Sequence, residues 1–208
     1  MIDIGTLLAY TLVVLGLFLI PGPAVLLTLA RSMGGGQRVG IATGLGIATG
    51  DFVHAIMATL GLSAVLATSA IAFAILKYAG ALYLIYLGVR CFFEKSQSLH
   101  LPAARAVSPG RAFVQAILSE ILNPKTALFF LAFLPQFVHP ENGPVIAQLA
   151  TLGAVFVLMS AAYTTLIAVG AGSFGRWLGR YRAIGRWQGK VIGSIYVGLG
   201  VRLALQER

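Results

Sequence analysis

Charge is what this chain has least of. Only 10% of its 208 residues are Asp, Glu, Lys or Arg, and only six are acidic. Soluble domains carry roughly 25% charged residues, so a soluble fold with an outsized core would lack the polar surface to cover it. Cysteine is nearly absent as well. Cys91 stands alone, which excludes an intramolecular disulfide and any paired-thiol relay. His54, His100 and His139 form no spaced metal cluster with it. Catalytic signatures are missing too: there is no G-x-S-x-G, no H-E-x-x-H and no Walker sequence. The chain is therefore not expected to be an enzyme or to hold a cofactor. Its first residues, MIDIG, lack the basic n-region of a signal peptide and lead into an apolar run too long for one.

What the chain has instead is hydrophobic length. Hydrophobic residues make up 58% of it and the mean hydropathy is +0.89. That composition defines an all-α integral membrane protein, and 1–208 is long enough for one transmembrane domain. The net charge of +9 and pI of 10.2 raise the question of nucleic acid. The basic residues sit in short loops between apolar runs, which is the positive-inside arrangement. No finger, helix-turn-helix or aromatic-interleaved basic patch accompanies them, so no nucleic-acid partner is expected.

Six apolar runs can be laid out in order. The first, 4–30, is interrupted by Pro21-Gly22-Pro23 and ends at Arg31, with the polar turn RSMGGGQR reaching Arg38. The second, 39–66, is rich in small residues. Gly40/Gly44 and Gly46/Gly50 recur four apart and offer close-packing faces. A division at Ala67-Thr68-Ser69 leaves a third run at 71–89, whose Tyr78, Tyr83 and Tyr86 read as interface anchors more readily than as cavity hydroxyls. A polar connection follows, then a fourth run at 111–134 broken at Asn123-Pro124-Lys125. The loop PQFVHPENGP (135–144), a fifth run at 145–172 and a sixth at 188–205 complete the chain. The stretch between the last two carries Arg176, Arg180, Arg182, Arg186 and Lys190 and reads as a cytoplasmic loop, with Trp177 and Trp187 marking the interface. Basic residues crowd the loops after runs 1, 3 and 5. Those loops are predicted to be cytoplasmic and both termini periplasmic.

Two internal echoes accompany this pattern. LFLIPGPAVLL (17–27) resembles EILNPKTALFF (120–130), and GALYLIYLGVR (80–90) resembles GSIYVGLGVR (193–202). Three spans separate the copies, so the second half would insert upside down. The expected architecture is an inverted 3+3 repeat with broken helices 1 and 4: 1–96 as the first unit, 111–208 as the second, joined by a cytoplasmic loop at 97–110. Broken helices meeting near the midplane are the usual substrate sites of secondary transporters. Depth agrees. At 1.5 Å per residue, Pro21 lies about 15 Å from Arg31, Asn123 about 18 Å from Arg111 and Asp51 about 20 Å from Arg38.

The candidate site residues follow. Asp51 is an acid at mid-membrane, where such groups are functional by default; its carboxylate suits a substrate ammonium or a proton in antiport, against the alternative of a structural pair with Lys125. Lys125 suits a substrate carboxylate, and Glu120 a second proton. Asn123 can cap a half-helix beside Pro124. His54 shares a helix face with Asp51, where it is either a proton-transfer partner or a packing residue. The Pro21-Gly22-Pro23 break should expose backbone amides and carbonyls, which suit the common portion of an amino acid.

Taken together, Pro21-Gly22-Pro23, GLGIATGD (44–51), LKYAGALYLIYLG (76–88) and Asn123-Pro124-Lys125 resemble the LysE/RhtB family along essentially the whole chain. The resemblance implies a bacterial inner-membrane exporter of small amino acids or their derivatives, driven by the proton gradient and needing no ATPase subunit. Its partners would be the amino-acid substrate, the lipid bilayer and, as a further candidate, a second copy in a homodimer. Two rivals are an exporter of a metal cation or other small solute, and a non-transporting assembly or sensor subunit. The missing Cys/His/Asp cluster weighs against the first. The intramembrane charges and two helix breaks weigh against the second.

Overall fold

The computed structural model describes residues 2–19, 22–68, 70–93 and 107–180, and the scattered positions 190, 193, 194, 197, 198, 200, 201, 204 and 205. Among these the regular structure is helical throughout: α1 (Ile4–Leu19), α2 (Pro23–Gly35), α3 (Gln37–Thr68), α4 (Ala70–Phe93), α5 (Pro109–Ile121), α6 (Pro124–Ala132) and α7 (Val145–Arg180), with two short 3-10 turns after α6. Asp3 starts α1: its carboxylate accepts the Thr6 amide at 2.8 Å and the Thr6 hydroxyl at 2.6 Å. Those bonds hold the Asp3 carboxyl below the usual carboxylate range.

α3 and α7 contain stretches long and apolar enough to cross a membrane, Gln37–Ala64 and Val145–Ala171. Two further crossings arise if each bent pair is one span. α1 and α2 meet at 56°, and α5 and the stretch Pro124–Phe137 meet at 52°. The protein is thus a multi-pass helical membrane protein with two to four spans among the described residues. The expected third run is helical as α4. The sixth, 188–205, lies largely outside the described residues, as do Pro21, 97–106 and most of the basic stretch.

Two expectations need correction. The polar turn RSMGGGQR is mostly helix: the chain reverses at Gly36 alone, whose φ of 81° is open to glycine and costly for L side chains. The basic loop also starts later than its charges imply. α7 runs on through Arg176 to Arg180, because nothing in SFGRWLGR lacks an amide to stop the ladder. Elsewhere the boundaries agree. α3 ends at Thr68 and α4 begins at Ala70, and the 135–144 loop is pinned by Gln148, whose amide group exchanges hydrogen bonds with the His139 backbone at 3.0 and 2.8 Å.

α3 is the helix around which the others gather, and its glycines explain how. A Cβ on Gly46 would stand 2.4 Å from the Phe113 carbonyl of α5, and one on Gly50 2.6 Å from Glu120 Cβ. The contacts advance in the same direction along both chains, so α3 and α5 run parallel. Gly40 and Gly44 instead face Ser32 of α2 and Thr164 and Ala168 of α7, in the order of an antiparallel pair. Each glycine pair serves a different neighbour. The segments related by sequence echo also touch: Gly88 meets the Gly193 carbonyl and Gly200 the Ala81 carbonyl, again antiparallel. Tyr78 and Tyr86 on α4 are exposed, as interface anchors would be.

The apolar core is divided. One cluster joins Tyr10, Val14 and Leu17 of α1 to the phenylalanines of α6 and to Leu149, Leu152 and Phe156 of α7. A second joins Val25 and Leu29 of α2 to Ile167 and Ala171 further along α7. Between them α7 carries buried Ser160 and Thr164, level with the helix breaks.

The α3–α5 contact gives a direct test. Gly46→Ala pushes a methyl into the Phe113 carbonyl and is expected to destabilise the protein by about 1–3 kcal/mol, read as a lowered melting temperature in detergent. Gly61→Ala meets nothing within 4 Å and should be neutral or up to about 1 kcal/mol stabilising.

Candidate functional site

Proline has no backbone amide, so each break leaves a carbonyl one turn earlier without its helical donor. At the second break that carbonyl belongs to Glu120. The amide of Asn123 reaches it at 2.9 Å, and so does His54 Nε2 from α3, at 2.9 Å. A carbonyl only accepts, so His54 carries its proton on Nε2. At the first break the carbonyl is that of Leu17, four residues before Pro21, and Lys125 Nζ donates to it at 3.1 Å. A side chain from another helix thus substitutes for each missing amide. Lys125, at the start of α6, ties one break to the other.

Asn123 does two things at once. Its Oδ1 accepts the Lys125 amide at 3.1 Å and caps α6, while its Nδ2 donates to Glu120 Oε1 at 3.0 Å. The Thr126 hydroxyl donates to the same oxygen at 2.5 Å. Asp51, on α3, is 2% exposed and accepts a hydrogen bond from Ser160 of α7. Glu120 is 3% exposed and lines the same cavity as Asp51. The start of α2 is different: Gly22 precedes Pro23 and no side chain caps the helix.

These groups enclose a cavity of about 40 Å³. Asp51, Glu120, Asn123, Lys125, Thr126, Ser160 and Thr164 form its polar wall, Gly22, Pro23, Ala24 and Val25 bring the start of α2, and Leu17, Phe18, Ile47, Phe156 and Tyr163 supply apolar surface. Phe18 stacks on Tyr163 at 5.3 Å and meets Phe156 edge-on at 5.2 Å. A volume near 40 Å³ holds only a few waters, so admitting a solute requires the walls to move.

Of the residues singled out from sequence, Gly22, Pro23, Asp51, Glu120, Asn123 and Lys125 share this cavity. Pro124 opens α6, and Pro21 lies outside the described residues. His54 faces the Glu120 carbonyl and stacks on Phe130 at 6.1 Å, on the structural side of the break. Sequence reading missed Ser160, Tyr163, Thr164 and Thr126. The signal was available in MSAAYTT (159–165), a polar interruption of an apolar helix in which Ser160 and Thr164 recur one turn apart.

Helices broken by proline around a polar cavity inside a multi-pass bundle define the class of membrane translocators. The chain belongs to the LysE type translocator family, whose description matches residues 15–207. It is 36% identical to the uncharacterized membrane protein YrhP of Bacillus subtilis, over 96% of this chain and 99% of that one. It is 33% identical to a homoserine/homoserine lactone efflux protein of Salmonella typhimurium, over 94% of each. A leucine efflux protein from the same organism is 29% identical over 97% of each. No solved structure matches the chain.

If His54 serves the break at Pro124, its value depends on that proline. His54→Ala should destabilise by about 1–3 kcal/mol, the usual range for an orphaned buried acceptor. In a Pro124→Ala background, where position 124 regains an amide, the loss should be clearly smaller. A double-mutant cycle on thermal or denaturant unfolding measures the difference.

Proposed function

We propose that the protein is a secondary active exporter of amino acids, or close derivatives, that exchanges its substrate for protons by alternating access around the cavity between the two helix breaks. The observation that carries this reading is the set of complementary groups facing one small space. Asp51 and Glu120 suit an α-ammonium group and a proton, and Lys125 and the uncapped start of α2 suit an α-carboxylate. The side chain of the substrate would meet Phe18, Ile47 and Phe156. Relatives named for leucine and homoserine efflux support the same class of substrate.

Proton exchange follows from the acids. Two ionised carboxylates around one small cavity at mid-membrane repel each other, so a proton and a cationic ammonium are alternative ways of neutralising them. Binding of substrate and of proton then compete at one place, which is the condition for antiport. The membrane would be the bacterial inner membrane, with the basic loops cytoplasmic and both termini periplasmic, as the positive-inside pattern supports. Among the described residues no group of three His, Cys, Asp or Glu converges, which favours amino acids over a transition metal.

The test is export of a labelled amino-acid panel from loaded cells, with and without a proton uncoupler. Wild-type protein should export at least one member in an uncoupler-sensitive way. Asp51→Asn, present at equal levels, should lose that component. Unchanged transport in the variant removes Asp51 from the mechanism, and a panel with no exported member refutes the amino-acid reading.

A further inference from the structure

Tyr10 is a buried titratable group that the site described above does not use. It lies on α1, fully buried, between Phe129 at 6.3 Å and Phe137 at 5.1 Å. Among the described residues its hydroxyl is the one buried side-chain polar atom without a hydrogen-bond partner. Leaving such a donor and acceptor unsatisfied is unfavourable by about 1–3 kcal/mol, and phenylalanine would fill the same aromatic surroundings without that loss. The hydroxyl therefore needs an explanation beyond packing.

Its position supplies one. Tyr10 is six residues from the start of α1 and seven from Leu17, or about 9 Å and 10 Å along the helix. It stands midway between the membrane face where α1 begins and the helix break. Ala55 and Ala58 of α3, one and two turns beyond Asp51, belong to the same buried cluster as Tyr10. The other titratable groups around the cavity are Glu120, Lys125 and Tyr163, with His54 turned to the Glu120 carbonyl. Phe129 and Phe137 beside Tyr10 offer no polar group, and the buried Gln148 amide is committed to the backbone of His139 and Gly143.

We propose that the Tyr10 hydroxyl is a proton-relay group, the fixed point of a short water chain between the face at which α1 begins and Asp51. The inference rests on the proton-antiport reading above. A protonated water on the outer side of Tyr10 gives its excess proton to the phenol oxygen, becoming neutral, as the phenol's own proton passes to a water on the Asp51 side. That water then protonates the Asp51 carboxylate. One O–H bond forms and one breaks at each transfer, no electrons change hands, and rotation of the hydroxyl resets the relay. The reverse sequence releases the proton.

The experiment uses the full chain in proteoliposomes that enclose a pH-sensitive dye, with the labelled amino acid that wild type exports fastest in the panel. Two rates are compared in wild type and Tyr10→Phe: proton-coupled flux under a pH gradient, and exchange of labelled for unlabelled substrate at equal pH, which moves no net protons. Tyr10→Phe should lower the coupled flux at least about tenfold, below the usual contribution of a positioned proton donor. It should leave exchange within about twofold, because no substrate contact is proposed for Tyr10, and leave the melting temperature equal or higher. Coupled flux equal to wild type overturns the relay and leaves antiport standing. Equal loss of both rates, or a lowered melting temperature, makes Tyr10 a packing residue and overturns it too. Substrate movement by wild type without proton movement overturns the antiport reading and the relay together.

Discussion

A backbone carbonyl that has lost its helical donor cannot turn to water inside a bilayer, and much of this protein follows from that constraint. Prolines at 21 and 124 each create such a carbonyl, on Leu17 and on Glu120. Each is answered across a helix boundary, by Lys125 and by His54. The donors have to come from elsewhere, so each break is a place where helices must meet. That draws α1, α3, α5 and α6 to a common level and leaves short polar half-helix ends pointing at one space. In this sense the cavity is a consequence of satisfying the backbone as much as of placing side chains.

The glycines of α3 make the meeting close enough. Without a Cβ at Gly46 and Gly50, the α5 backbone approaches α3 until Glu120 lies against the turn that carries Asp51. Gly40 and Gly44 do the same for α2 and α7 on another face, which brings Ser160 within reach of Asp51. One helix thus sets the spacing of both acids, and its small residues act at a distance from the chemistry they position.

Much of this was legible in the sequence. Helix breaks, buried acids and small-residue faces are local signals, and the first and second breaks were placed at a shared depth by counting residues from the basic loops. The reciprocal ties were not legible, because which side chain satisfies which carbonyl depends on packing between helices far apart in the chain. His54 illustrates the gap: its spacing from Asp51 pointed equally to proton transfer and to packing, and its contact with the Glu120 carbonyl favours packing. Ser160, Tyr163 and Thr164 were overlooked for another reason. Uncharged hydroxyls barely disturb hydropathy, so they vanish in a long apolar run. The extension of α7 to Arg180 shows the converse error, in which charge was read as loop although arginine is a good helix former.

The division of the core has a mechanical side. Among the described residues, fifteen buried side chains, five of them aromatic or phenolic, form the cluster that holds Tyr10 and Phe156, against four in the cluster that holds Val25 and Ile167. Each fully buried apolar side chain contributes roughly 1.5–3 kcal/mol. Parting the smaller cluster therefore exposes less apolar surface than parting the larger one. A cycle built on these two seals would have unequal strokes. The stroke that opens the smaller cluster would be the less costly one, and the other would draw more on whatever the cavity has bound.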